Sequence, residues 1–183
     1  MRVALDIGHM GKKSRPDDRG AANGNYREAD FALDYVTVAR KLLEDAGHTT
    51  FLLAYDNYGK RHDFCQEVKA DIHVQCHINS PDGRYALIEC RDDATDNCIA
   101  LTEIMSHQLK RWLGFVISKV DVRRLKGDER GYNCLMKEIP SILYEPLFIK
   151  NDNHLRFMLY ENGLVMVGNA LAEGIIEWAK GNI

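Results

Sequence analysis

The sequence predicts one α/β domain, in which a twisted and mostly parallel β-sheet carries helices on both faces. Short apolar segments alternate along the chain with segments of helical periodicity, as is typical of strands and helices that pack in layers. The chain has 183 residues and is 45% hydrophobic, which is enough for one buried core. No repeat or low-complexity segment interrupts the alternation.

The first part of the chain predicts three strands and two helices. Phe31, Tyr35, Val38 and Leu42 recur at helical spacing, and Gly47 follows as a stop signal. In chain order, the predicted elements are a strand at 3–7, the helix that ends before Gly47, a strand at 48–55, a short helix at 61–70 and a strand at 71–77.

The second part continues the alternation. Cys98, Leu101, Met105 and Leu109 share one helical face, and Gly114 follows as a breaker. In chain order, the predicted elements are a strand at 84–90, a helix at 95–113, a strand at 115–122, a polar loop at 125–136, a strand at 140–148 and a last helix at about 163–180.

Composition excludes several classes of function. The 24 Lys and Arg residues nearly balance the 27 Asp and Glu residues, so we expect no nucleic-acid partner. The N-terminal apolar run stops at Ile7, which is too short for a signal peptide or a transmembrane segment. We therefore expect the protein either to be made in the cytoplasm without a signal peptide or to have lost a leader. The five cysteines, none in a CxxC pair, are expected to be mostly reduced core thiols.

Two histidines follow predicted strands directly. His9 comes after the first strand and His77 ends the third, and ligands of α/β sheets bind beyond the carboxyl ends of the strands. A glycine-punctuated loop delivers Glu28 to the start of the first long helix. Two imidazoles and one carboxylate form the ligand set of a catalytic zinc site. Glu145, an acid in an apolar strand, would be available to move the proton of a zinc-bound water.

Each of these residues also has a purely structural interpretation. A histidine is more often hydrogen-bonded within the fold than bound to metal, and Glu28 stands three residues after Asn25, as in a capping box. His73 shares a strand face with His77 and is a weaker rival ligand. Asp6, inside the first strand, is interpreted as a hydrogen-bonding support. His154 is expected at the surface. No nucleotide-binding loop or nucleophile elbow is present.

Four segments, in this order, resemble the zinc-dependent N-acetylmuramoyl-L-alanine amidases of the Amidase_3 family. They are DIGH (6–9), DRGAANGNYRE (18–28), ADIHVQCHIN (70–79) and PSILYEPLFIKND (140–152). The resemblance covers nearly the whole chain, residues 1–183, as a single zinc amidase catalytic domain. It implies a six-stranded sheet and a peptidoglycan substrate, and it assigns the site residues: zinc ligands His9, Glu28 and His77, catalytic Glu145, and further family positions at Arg61 and Asn79.

Departures from the family pattern occur in the loops. The sequence has GHMG where the family commonly has GHGG, and Pro146 follows Glu145 where a glycine is common. We expect these differences to affect loop shape and substrate preference more than the chemistry.

Two other functions stay open from the sequence. One is a zinc peptidase or deacetylase that acts on another amide, and the other is a non-catalytic peptidoglycan-binding module on the same fold. The resemblance implies action on the cell wall, as a phage-lysin-like enzyme or as the catalytic domain of a bacterial autolysin. The sequence carries no signal for an oligomeric state.

Overall fold

A twisted six-stranded sheet lies at the centre of the protein. The computed structural model describes residues 1–55, 57–160 and 162–181. The strands are β1 (Arg2–Ile7), β2 (Ala22–Asn23), β3 (Tyr26–Arg27), β4 (Thr49–Leu53), β5 (Ile72–Cys76), β6 (Ala86–Arg91), β7 (Val120–Leu125) and β8 (Ser141–Glu145). The helices are α1 (Glu28–Asp45), α2 (Tyr58–Glu67), α3 (Asp96–Leu113), α4 (Asp152–Tyr160) and α5 (Gly163–Gly181).

The central sheet has the strand order β4-β1-β5-β8-β6-β7. Strands β4, β1, β5 and β8 run parallel, whereas β6 pairs with β8 in the antiparallel direction and β7 runs parallel to β6. The prediction of a mostly parallel α/β sheet of about six strands is therefore confirmed. The carboxyl ends of β1, β5 and β8 meet at one edge, and β6 starts at that same edge.

The strand predicted at 115–122 is placed wrongly. Strand β7 spans Val120–Leu125 instead, and the apolar run before it forms a turn after α3. Backbone N–H groups of Val116 and Ile117 both donate to the carbonyl of Leu113, and Ile117 is buried in the core while Phe115 is exposed. The segment is apolar because it packs against the core at the end of α3. A short apolar segment of this kind has the same hydrophobic pattern as a strand, which explains the wrong prediction.

Helices cover the two faces of the sheet unequally. Helices α1, α3 and α5 pack together on one face, over the alternate strand residues Val3, Leu5, Ile7, Ile72, Val74, Ile88 and Ile142. Helix α2 lies on the other face, where Ala4, Leu53, Cys65, Ala70 and Met136 form a smaller cluster. The part of that second face formed by β6, β7 and β8 carries a loop, 126–136, which includes one short 3-10 helix (Tyr132–Cys134), in place of an α-helix.

A fully buried arginine joins α2 to the sheet. The guanidinium of Arg61 donates to the carboxylate of Asp6 and to the carbonyls of Ile7, Met10 and Tyr55, with 3.1 Å to Ile7 O and 2.9 Å to Tyr55 O. The Arg61 and Asp6 side chains are both 0% exposed. One side chain therefore fixes the carboxyl end of β1, the loop after it and the segment after β4.

His73 belongs to the same buried network. Its Nε2 lies 3.3 Å from the second oxygen of Asp6, and its Nδ1 lies 2.9 Å from Oγ of Ser141. The Ser141 hydroxyl also accepts the backbone N–H of Met136 at 3.0 Å. Both ring nitrogens of His73 are thus engaged below the strand ends, and Asp6 acts as the hydrogen-bonding support that the sequence suggested.

The expectation that His154 lies at the surface is wrong. Its side chain is fully buried, and its Nδ1 accepts the backbone N–H of Phe148 at 3.0 Å. Asn151 caps the turn below it by accepting the backbone N–H of His154 at 3.1 Å. These contacts fix the loop that follows Glu145. The burial of His154 could not be predicted from the sequence, because His154 lies on an amphipathic helix at a position that only the tertiary contacts bury.

The five cysteines are buried and unpaired: Cys65, Cys76, Cys90, Cys98 and Cys134. This agrees with reduced core thiols. Every helix in the described part of the chain is too short or too polar to cross a membrane.

Arg61→Met should destabilise the protein by about 3–5 kcal/mol, because it removes one partner of a buried ion pair and leaves Asp6 uncompensated. Urea unfolding at pH 7 measures the change. Arg40→Met is the control, since Arg40 forms an exposed ion pair with Glu44 on the surface of α1 and should contribute little. Similar effects of the two substitutions would contradict the structural role given to Arg61.

Candidate metal centre

His9 lies on the loop that leaves β1, in an unusual backbone conformation. Its φ angle is 62°, in the left-handed region that disfavours side chains with a Cβ. The preceding residue, Gly8, packs against the ring of His77: a Cβ on Gly8 would lie 2.2 Å from Cε1 of that ring. The glycine therefore lets the two histidines meet, and their ring centroids are 5.3 Å apart.

Glu28 is the first residue of α1, and its side chain points back toward the histidines. The residue before it, Arg27, is the helix N-cap and makes no side-chain capping bond, so the capping-box interpretation of Glu28 is wrong. One carboxylate oxygen lies 2.6 Å from Nδ1 of His77. The other accepts the backbone N–H of Ala21 at 2.8 Å. These bonds hold the carboxylate at the strand edge.

The side chains of His9, Glu28 and His77 form one cluster. Their ligand atoms all lie within 4.8 Å of one another, and no other such group of three or more His, Cys, Asp or Glu occurs in the described ranges. His9 Nε2 lies 3.8 Å and His77 Nδ1 lies 2.6 Å from the Glu28 carboxylate. In a tetrahedral zinc site with bonds of about 2.1 Å, neighbouring ligand atoms are about 3.4 Å apart. The donor types therefore fit zinc, and the spacings lie on either side of the tetrahedral value, because the 2.6 Å contact between His77 and Glu28 is a hydrogen bond that a metal ion would replace.

Asp18 orients the ring of His9. Its carboxylate lies 3.0 Å from His9 Nδ1 and also accepts the backbone N–H of Gly20 at 3.0 Å. Lys12 approaches its other oxygen at 3.3 Å. A carboxylate on one ring nitrogen leaves the opposite nitrogen, Nε2, to face Glu28 and a metal ion. The sequence analysis missed Asp18, although it lies within the DRGA segment.

The protonation states of the cluster are coupled. Burial lowers the pKa of His9, with a further contribution from His77, which favours the neutral imidazole that a metal needs. Burial is the largest influence on the pKa of Glu28 and would raise it, but the hydrogen bond from His77, the charges of His77 and His9 and the N–H of Ala21 together lower the pKa. Burial is the largest influence on the pKa of His77 and would lower it. The hydrogen bond to Glu28 and the negative charges of Glu28 and other nearby acids together raise the pKa above its ordinary value. A metal ion must therefore displace the proton that His77 shares with Glu28.

Glu145 ends β8 at the same edge. Its carboxylate faces the groove and makes no hydrogen bond or ion pair with the described residues. Burial raises its pKa to about 7, and the nearby acids Glu89 and Glu28 act in the same direction while His77 opposes them. A carboxyl group that titrates near neutrality can accept and return a proton.

A groove of about 1500 Å³ joins these residues to the face of β6, β7 and β8 that no α-helix of the described chain covers. Its charged lining includes two residues that the sequence analysis did not single out, Glu89 on β6 and Arg123 on β7. Their position in the groove follows from the pairing of β6 with β7. The sequence alone does not indicate it, because neither residue lies at a strand end or in a motif.

The remaining sequence-predicted residues lie around the cluster without joining it. Asn79 lines the groove two residues after His77, and its backbone carbonyl accepts the N–H of Ile149 at 2.9 Å. Arg61 and His73 lie beneath the site in the buried network. His73 is therefore not part of the group that His9, Glu28 and His77 form.

Comparisons with known proteins agree on one family. A family model described as N-acetylmuramoyl-L-alanine amidase matches residues 3–177. The amidase AmiC2 of Nostoc punctiforme is 22% identical with a TM-score of 0.79, covering 98% of this chain and 97% of that chain. The CwlD amidase from Clostridioides difficile, solved with the GerS lipoprotein, is 22% identical with a TM-score of 0.77 and 98% coverage of both chains.

A third solved structure has the same fold. The catalytic domain of CwlV, an amidase from Bacillus (Paenibacillus) polymyxa var. colistinus, is 19% identical with a TM-score of 0.78 and 98% coverage of both chains. The comparison with curated protein sequences gave no match.

Asp18→Asn should weaken zinc binding about 10- to 100-fold, because the amide no longer holds the His9 ring through a charged hydrogen bond. Competition with a chelator measures the affinity, and circular dichroism checks the fold. Asp17→Asn is the matched control, since Asp17 is the exposed neighbour in the same loop. Equal affinities of the Asp18→Asn variant and the wild type would contradict the orienting role.

His77→Ala should abolish stoichiometric zinc binding, whereas His73→Ala should still bind about one zinc per chain at a lower melting temperature. The difference is expected because His77 adjoins Glu28 and His9, while the His73 ring is held by Asp6 and Ser141. Elemental analysis of the folded variants after dialysis against zinc measures the content. Equal zinc losses would mean that His73 also contributes to the site.

Proposed function

The chain belongs to the Amidase_3 family of N-acetylmuramoyl-L-alanine amidases, and we propose that it cleaves the amide between N-acetylmuramic acid and L-alanine in peptidoglycan with the help of a zinc ion. The observation that carries the zinc dependence is the cluster of His9, Glu28 and His77 beside the strand-end acid Glu145. In this proposal residues 1–183 work as one zinc amidase catalytic domain.

The three-residue cluster would hold the zinc ion. Two imidazoles and one carboxylate leave a fourth position open, as in catalytic zinc sites. When bound, zinc supplies a Lewis acid that polarises the scissile carbonyl and lowers the pKa of a coordinated water toward neutrality. Asp18 keeps the His9 ring in its binding orientation, and Gly8 keeps the backbone clear of the His77 ring.

Glu145 would move the proton in both halves of the reaction. Its carboxylate first accepts the proton of the attacking water and then gives it to the nitrogen of the leaving L-alanine, so that the amine departs uncharged. One group serves both steps only if its pKa lies close to the working pH. Burial at the end of β8 provides such a pKa, and its oxygens are not engaged by other described side chains.

The proposal favours catalysis over a binding-only role for this chain. A binding module has no need of a complete ligand set or of a half-buried carboxyl group with a pKa near neutrality. The same site would also hydrolyse other amides, so the choice of the muramoyl amide rests on family membership. The analysis of products from purified cell walls separates the two activities, since an amidase frees the amino group of L-alanine and a peptidase cuts within the peptides.

Glu145→Gln should reduce amine release from cell walls by about 10³- to 10⁴-fold at unchanged zinc content, because the amide keeps the size of the side chain but accepts no proton. Equal concentrations of zinc-loaded protein are compared. Glu103→Gln, on the exposed surface of α3, is the control. A zinc-loaded Glu145→Gln variant with most of its activity would assign the proton transfer to another residue.

The same variant reports on folding. Burial raises the pKa of Glu145 to about 7 from an ordinary value of 4.5, so ionisation of the folded, metal-free protein costs stability as the pH rises from about 4.5 through 7. The Gln variant lacks this cost. Its melting temperature without metal should exceed that of the wild type at pH 8, and the difference should shrink toward pH 4.5.

A further inference from the structure

Among the carboxylates that line the groove, Glu89 is one that the proposed hydrolysis does not use. Glu89 is on β6, and its residue is 9% exposed. Its nearest charged partner is Arg123, with the guanidinium 4.0 Å from the carboxylate, and it makes no hydrogen bond within the described ranges. A buried carboxylate without a donor is costly unless a ligand supplies one.

The register of the sheet gives the position of Glu89 relative to Glu145. Leu87 pairs with Glu145, and Glu89 pairs with Leu143 on the adjacent strand. Two residues along a strand and one strand across correspond to about 8 Å between the two glutamates. An extended α-linked residue such as L-alanine advances about 3.4 Å, and a γ-linked residue such as D-isoglutamine spans more because its backbone has two additional bonds. Glu89 therefore lies about two residues away from the amide that Glu145 serves.

Side chains of β6 and of the residue that precedes it, Tyr85, form a row along the groove. Tyr85, Leu87 and Glu89 all face the groove, while Ile88 and Cys90 between and beyond them face the core. Tyr85, at the open end, packs its ring against Phe148 with centroids 4.8 Å apart. The row therefore has an aromatic residue, Tyr85, at one end and a charged residue, Glu89, at the other. Leu87, between them, pairs with Glu145 at the proposed reaction centre.

The charged end matches the peptide side of the substrate. In an N-acetylmuramoyl peptide, the lactyl carboxyl group is consumed in the scissile amide, so ionisable groups remain only on the peptide. Arg123 and Arg130 line the groove near Glu89 and lower its pKa, but burial outweighs them and the pKa is raised. Both arginines are exposed and screened by solvent, so the buried carboxylate still lacks a close donor.

We propose that Glu89 is a specificity-determining residue that accepts a hydrogen bond from an N–H group of the stem peptide, about two residues beyond the scissile amide. The inference rests on the proposed function, since Glu145 defines the reaction centre. Two sources share this chemistry: the ammonium group of a basic third residue, or a backbone amide N–H. The loop after β7 passes close to Glu89 at Gly131, which has a φ of 98°, and a Cβ at that position would lie 3.6 Å from Oε2 of Glu89.

Steady-state kinetics on synthetic substrates test the proposal. The substrates are N-acetylmuramoyl-L-alanine, the same compound extended by D-isoglutamine, that dipeptide extended by L-lysine, and the tripeptide with its lysine side chain acetylated. Glu89→Leu should lower kcat/KM for the lysine tripeptide by about 10- to 100-fold, mainly through KM, and should affect the shortest substrate at least tenfold less. A loss that is abolished by acetylation identifies the ammonium group, and an equal loss identifies the backbone amide.

Two further variants separate recognition from structure. Arg123→Gln removes the ion-pair partner that Glu89 has among the described residues, and Glu103→Gln is the exposed control on α3. If Arg123→Gln reproduces the substrate dependence of Glu89→Leu, Glu89 acts by holding Arg123 and the proposal is wrong. An equal loss on all four substrates, or no loss on any, also overturns it.

Peptide binding distinguishes this inference from the proposed function. The free tripeptide L-alanyl-D-isoglutaminyl-L-lysine is titrated into zinc-loaded wild type and Glu89→Leu by calorimetry. Wild-type protein that releases no amine from any substrate disproves the proposed function, and the titration still decides the role of Glu89. Tighter binding to the wild type by about tenfold or more supports it, and equal binding overturns it.

Discussion

The ion pair between Arg61 and Asp6 is the constraint on which the site geometry depends. A guanidinium removed from water needs a carboxylate and several carbonyl partners, and Arg61 finds them on three separate segments at the edge of the sheet. The loop carrying His9 is one of these segments. Through Asp6 and His73 the same network reaches the start of β8, which ends at Glu145. Breaking this pair would therefore loosen the ligand loop together with the core.

The metal-ligand cluster combines backbone strain with charge. His9 is held at a positive φ, and that conformation persists because Asp18 and the tight packing around Gly8 restrict the alternatives. In the metal-free protein, Glu28 and His77 satisfy each other through a shared proton. A divalent cation replaces that proton, so the affinity for metal should fall as the pH falls. The same three side chains are therefore held together by a hydrogen bond in the metal-free protein and would be the ligands of the metal ion.

The sequence was most informative where chemistry coincided with a strand end. His9, His77 and Glu145 were singled out as candidates because polar residues interrupt apolar strands there, and Glu28 because a glycine-rich loop precedes its helix; the structure brings the first two and Glu28 into one group. Asp18, Glu89 and the burial of His154 were not identified, since each depends on contacts between segments distant in sequence. The reversed direction of β6 was also hidden, because hydrophobic periodicity carries no information on strand direction. The misplaced β7 shows that a short apolar run serves a helix end as well as a strand.

The reversal of β6 and β7 explains why a groove exists beside the reaction centre. In the parallel half of the sheet, α2 covers the face on which Asp6 and His73 lie, leaving only strand ends accessible. Beyond β8, helix α3 connects β6 to β7 on the opposite face, so the near face is covered only by the loop at 126–136. Side chains within β6, which would be covered in the parallel half, are thereby open to a ligand. In the two proposals made above, the parallel strands thus carry the reacting groups, and the reversed strands provide the surface on which Glu89 would select the substrate.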